Sequence, residues 1–132
     1  MVCRFCRSHQ HVQFIAAQRE KIRTVNIETG LPSALDALRR LENEIMRTRQ
    51  AGVRVVRVIH GWGSTGIGGK LRDACRAFLT REIKAKRIKT MLPGDDYSTA
   101  TVATRELIAR YPDLRKSERS DTNNPGITFV EL

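Results

Sequence analysis

"VRVVRVIHGWGSTGIGGKLR", residues 53–72, runs from a β-branched stretch into five glycines and closes on Lys70, Leu71 and Arg72. Val53 to His60 carries branched apolar side chains on both faces, as a central strand covered on both sides does. After the glycines, Leu71, Ala74, Cys75, Phe78 and Leu79 recur at helical spacing, so the loop feeds a helix. Strand, glycine turn and helix together make half of a βαβ unit.

The flanks supply the rest. Upstream, Thr24 to Ile27 is a short β-type run, and "ETGLP" turns the chain at Gly30 and Pro32. From Ser33, apolar Leu35, Leu38, Leu41 and Ile45 mark an amphipathic helix that closes at Gly52. Downstream, the basic stretch "REIKAKRIK" leads to a third strand around Ile88 to Leu92, followed by the polar loop "PGDDYSTA". Val102, Leu107 and Ile108 predict a helix stopped by Pro112. "RKSERSDTNNPG" then reads as a long charged connector before a final strand, "ITFVEL". This order predicts an α/β fold: a compact two-layer sandwich with a mainly parallel or mixed four-stranded sheet. Residues 1–20 read as an N-terminal arm and residues 21–132 as the domain.

At 132 residues with 40% hydrophobic side chains, the chain suffices for one core. No run of about 18 apolar residues occurs, and "MVCRFCRSHQHVQF" lacks the apolar centre of a signal peptide, so the expected location is cytoplasmic. Cys3, Cys6, His9 and His11 are zinc-type ligands, but they crowd into nine residues with no second cysteine pair to follow. They read as part of the arm, and no metal or organic cofactor is expected. Cys75 falls on the apolar helix face and reads as packed core.

The net charge is +10, and ten of the 24 Lys and Arg lie in residues 53–90 against two acids. A solvated basic face explains such a pattern; concentration around one loop favours an anionic partner, with DNA or RNA the commonest. The loop itself is not a P-loop: Ser64 stands where the first glycine belongs, and Leu71 follows Gly69-Lys70 in place of the magnesium-binding hydroxyl. Gly61-x-Gly63-x-x-Gly66 matches dinucleotide spacing, but that fingerprint wants an acidic residue about 20 positions on, after a second strand, and the region there is the basic end of a helix. What remains is a strand-tip anion site, with backbone amides exposed by glycine and Lys70 and Arg72 at the helix start. His60 either donates to a phosphate oxygen, acts as acid or base, or caps a turn. Trp62 either stacks on a base or covers the core edge.

"VRVIHGWGSTGIGGKLR" resembles the His-Gly-x-Gly signature of the Smr (small MutS-related) domain, followed by that family's glycine-containing loop and Leu-Arg helix start. With the preceding strand and helix and the ending "NNPGITFVEL", the resemblance covers about residues 22–132. It implies an α/β sandwich similar to the C-terminal domain of bacterial translation initiation factor 3. It also implies binding of DNA or RNA and, in several members, nicking of DNA or cleavage of RNA. His60, Gly61 and Gly63 match the motif. The family's second motif, Leu-Asp-x-His at the end of the first strand, stands here as Val25-Asn26-Ile27-Glu28. The expectation is therefore a nucleic-acid-binding module that grips phosphates through His60, Gly61, Trp62, Gly63, Gly66, Lys70 and Arg72. The alternative is an endonuclease in which His60 acts as acid or phosphate clamp and Glu28 as base or metal-holding partner. A solvated turn is the plain reading of Glu28, and an intact Leu-Asp-x-His would have favoured cleavage.

Overall fold

The computed structural model describes residues 22–30, 32–61 and 68–132. In chain order the elements are β1 (Ile22–Asn26), α1 (Ala34–Gln50), β2 (Val55–Ile59), α2 (Gly68–Lys84), β3 (Thr90–Pro93), α3 (Val102–Arg110), α4 (Glu118–Asp121) and β4 (Ile127–Glu131). Short 3-10 turns at Gly94–Asp96 and Pro112–Ser117 join β3 to α3 and α3 to α4. The four strands form one mixed sheet in the order β1-β2-β4-β3. β1 and β2 are parallel, whereas β4 runs antiparallel to both β2 and β3.

Both faces of the sheet are covered. Leu41, Ile45, Leu71, Cys75 and Leu79 from α1 and α2 pack on Val25, Ile27, Val56, Val58 and Val130. Full burial of each such side chain contributes about 1.5–3 kcal/mol. A smaller core lies opposite, where Leu107, Ile108, Leu114 and Tyr97 cover Ile127 and Phe129. Tyr97 and Phe129 stack at 4.4 Å between ring centroids. Cys75 is fully buried as expected, and burial pushes its thiol up to about 12.

Ser33 caps α1 by accepting from the Asp36 amide at 3.2 Å, and α3 ends at Arg110 before Pro112. Three expectations need correction. Leu35 is 60% exposed, and the buried face of α1 is Ala37, Leu41, Ile45 and Thr48, where the small Ala37 lets the helix approach the sheet. Val102 is exposed as well, and Thr104 takes the inward position because its hydroxyl is satisfied by Thr101 and the Asp96 carbonyl. The charged connector is folded: Leu114 is buried, and Asp121 is fully buried in a two-point bond with Arg57 of β2. No helix among the described residues is long and apolar enough to cross a membrane. Residues 1–20, including Cys3, Cys6, His9 and His11, lie outside the described residues.

Candidate functional site

Strand register brings four segments to one edge of the sheet. Asn26 pairs with Ile59, Ile59 with Ile127, and Thr128 with Pro93, so the ends of β1, β2 and β3 meet the start of β4. The chain leaves β2 at this edge on its way to α2. The carboxyl ends of parallel strands are where open α/β sheets collect ligands.

His60 follows directly on β2, its backbone amide donating to the Gly126 carbonyl at 3.0 Å. Its side chain is fully buried. Nδ1 lies 2.7 Å from the Gly61 carbonyl oxygen, which can only accept, so Nδ1 carries the proton. Nε2 therefore accepts from the Thr128 hydroxyl at 2.8 Å. Thr128 Oγ1 accepts in turn from Arg76 Nε at 3.1 Å, and Arg76 Nη2 bonds Asp95 at 2.6 Å and the Ile127 carbonyl at 3.3 Å. Burial is the main cause holding His60 down to about 4, and the charges of Arg76 and Arg72 add to it. The imidazole is neutral at pH 7 and both its nitrogens are engaged. Chemically it fixes the Gly61 carbonyl and Thr128. Burial tends to raise Asp95, but the hydrogen bond and charge of Arg76 outweigh it, and the carboxyl ionises below its usual range.

Gly61 has φ +76°, and a Cβ there would collide with the Glu28 carboxylate, with Cδ at 2.8 Å. Glu28 and His60 thus share the edge that adjacent parallel strands imply. Asn26, at the aspartate position of the second family motif, closes the turn: its Oδ1 accepts from the amides of Glu28 at 2.8 Å and Thr29 at 3.1 Å. A polar groove of about 400 Å³ between β1 and α1, lined by Arg23, Asn26, Arg40 and Glu44 among others, flanks the edge.

On α2, Lys70 is exposed and Arg72 is 28% exposed beside Asp73 at 3.6 Å. Arg72 Nε is buried without a hydrogen-bond partner among the described residues. Arg76 stands one turn further along the same helix face. Trp62, Gly63 and Gly66 lie outside the described residues. Sequence reasoning missed Arg76, Thr128 and Asp95; the single available signal was the four-residue step from Arg72 to Arg76. Among the described residues, no group of three or more His, Cys, Asp or Glu is arranged to hold a metal ion.

The Smr domain model matches residues 32–106. The chain belongs to the Smr domain family. That Smr match contains β2, the glycine loop and α2, and it begins after the Val25–Glu28 stretch. Endonuclease MutS2 of Aquifex aeolicus (strain VF5) is 41% identical over 66 residues, which are 50% of this chain and 8% of that protein. The chain thus spans less than a tenth of that relative's length. The Smr domain of Thermus thermophilus MutS2 superposes with a TM-score of 0.53 at 22% identity, covering 83% of this chain and 96% of that one. The two share the same mixed α/β fold.

Proposed function

We propose that the protein is a nucleic-acid-binding Smr module that holds the phosphate backbone at the sheet edge around His60. The observation that carries this reading is the placement of Lys70, Arg72 and Arg76 along the first half of α2, beside the family's His-Gly motif, to which Arg76 is tied through the Thr128 hydroxyl. Phosphate oxygens attract guanidinium forks and lysine ammonium groups, and on α2 Lys70 is exposed and Arg72 partly so. Gly63 and Gly66, further along the sequence, are the glycines whose amides serve the same phosphate, with Trp62 to stack on a base; the Gly61 amide is engaged by the Gly126 carbonyl at 3.1 Å. His60 acts as a positioning residue: its Nδ1 hydrogen holds the Gly61 carbonyl, which sets the course of the chain into the loop.

A test is fluorescence anisotropy with a labelled 20-base-pair duplex and a labelled RNA hairpin. Wild type should bind at least one of them, and Lys70→Gln/Arg72→Gln should weaken that binding at least tenfold, since charge-assisted contacts contribute about 1.5–3 kcal/mol each. No binding, or binding that ignores the double substitution, contradicts the reading.

A second reading, phosphodiester cleavage, is favoured by the Glu28 carboxylate packed against Gly61 and by the endonuclease name of the Aquifex relative. It requires nicking of supercoiled DNA, or cutting of structured RNA, that Glu28→Gln abolishes.

A further inference from the structure

We propose that the pole of the domain opposite His60 is a second phosphate-backbone contact, so that one nucleic acid lies along α2 from Lys70 to Lys89. The proposal rests on the nucleic-acid-binding reading above. Most of the positive charge of residues 53–90 is not at the glycine loop at all. Arg81, Lys84, Lys86, Arg87 and Lys89 are exposed at and beyond the far end of α2. Arg54 joins them across the strand ends, because the Leu132 amide bonds the Arg54 carbonyl at 2.8 Å and the Lys89 amide bonds the Glu131 carbonyl at 3.0 Å. Arg49, from the last turn of α1, lies close enough to Glu82 to help Arg87 hold that carboxyl below its usual range.

Local stabilisation does not account for this accumulation. The helix dipole favours cations in the last turn, which covers Arg81 and Lys84; Lys86, Arg87 and Lys89 follow the helix, and Arg54 precedes another strand. Arg87 is matched by Glu82 at 2.7 Å, and Lys89 approaches the buried Glu131 at 3.8 Å. Arg49, Arg54, Arg81, Lys84 and Lys86 have no carboxylate within 4.0 Å among the described residues. Uncompensated like charges repel one another, and an external polyanion relieves that repulsion.

Lys86 gives a second, independent indication. The Arg87 amide bonds the Glu82 carbonyl and the Lys86 amide bonds the Ile83 carbonyl, both at 2.9 Å, so α2 ends in a Schellman motif with Lys86 at the left-handed position, φ +62°. Glycine is the residue that position favours. A lysine there keeps a charge at the expense of backbone ease. A groove of about 370 Å³, lined by Ile83, Lys86, Arg87, Ile88, Lys89 and Leu132, runs through the patch.

Fourteen residues of helix separate Lys70 from Lys84, about 21 Å at 1.5 Å per residue. Duplex DNA covers that span in roughly six base pairs. Wild-type affinity should therefore climb steeply as hairpin stems lengthen past about six base pairs, and Lys84→Gln/Lys86→Gly/Lys89→Gln should flatten that climb. On the 20-base-pair duplex the triple variant should lower the slope of log affinity against log salt by about 2–3, since each phosphate that a side chain neutralises adds about 0.9 to it. Lys86→Gly alone should raise the melting temperature while weakening binding, a pairing that a purely structural role does not produce. If wild type binds and the triple variant keeps its slope and length dependence, this proposal fails alone, and the patch faces an acidic protein or anionic membrane. If wild type binds no nucleic acid, the underlying reading fails with it.

Discussion

Acidifying the protein from pH 7.5 to 5 puts a proton on His60 wherever the chain is unfolded but not where it is folded. The folded value is about 4 against an ordinary 6.5, mainly because the ring is buried. Between those two values the unfolded chain binds more protons, so stability is full above about 6.5 and falls as the pH drops toward 4. At pH 5 the difference in protonation corresponds to about 2 kcal/mol. Glu82, Asp95 and Glu131 also ionise below their ordinary range, but as carboxylates they add to acid sensitivity only as the pH nears 4.5. Among the described residues, the interval from 6.5 to 5 therefore belongs to His60. Urea denaturation followed by circular dichroism at the two pH values should show a midpoint about 1 M lower at pH 5, given slopes of about 1–3 kcal/mol per molar. In His60→Gln, which keeps an uncharged hydrogen-bonding group, that difference should vanish. Equal wild-type midpoints at both pH values, or the same drop in His60→Gln, would rule out this linkage.

Two further perturbations test the same edge. Gly61→Ala should cost about 1–2 kcal/mol from its left-handed backbone and more from the collision with Glu28. Adding Glu28→Ala should recover the collision part alone, so a thermal-melt double-mutant cycle should show coupling above about 0.5 kcal/mol; strict additivity would show that the carboxylate does not sit there. Thr128→Val preserves shape but strips His60 Nε2 and Arg76 Nε of their shared partner. It should destabilise the fold by about 1–3 kcal/mol, whereas Thr128→Ser should stay near wild type in the same urea titration.

Elements governed by local chemistry were legible in the sequence. Ser33 as cap, Pro112 as stop and the branched run of β2 act through their neighbours, and the strand–loop–helix order followed from them. The phase of the α1 stripe was less so: Leu35 and Ala37 both fit a helical repeat, and which one faces the sheet depends on how closely α1 packs. What the sequence concealed was long-range pairing. Arg57 finds Asp121 at 64 residues' separation, and His60 finds Thr128 at 68, with no spacing rule to connect either pair. His60 thus stood out by motif, while its burial and engaged nitrogens depended on β4 lying beside β2. Register across non-adjacent strands decided that, and only the assembled sheet displays it.

Where nucleic acid sits on the domain can be read from an amide chemical-shift map recorded on titration with a duplex. Gly61 and Lys70 to Arg76 should shift first and most, with Lys84 to Lys89 joining as the duplex lengthens. Amides of α3 and α4, on the opposite face, should stay unchanged. Shifts concentrated on α3 and α4, with the His60 edge unmoved, would contradict binding at this edge.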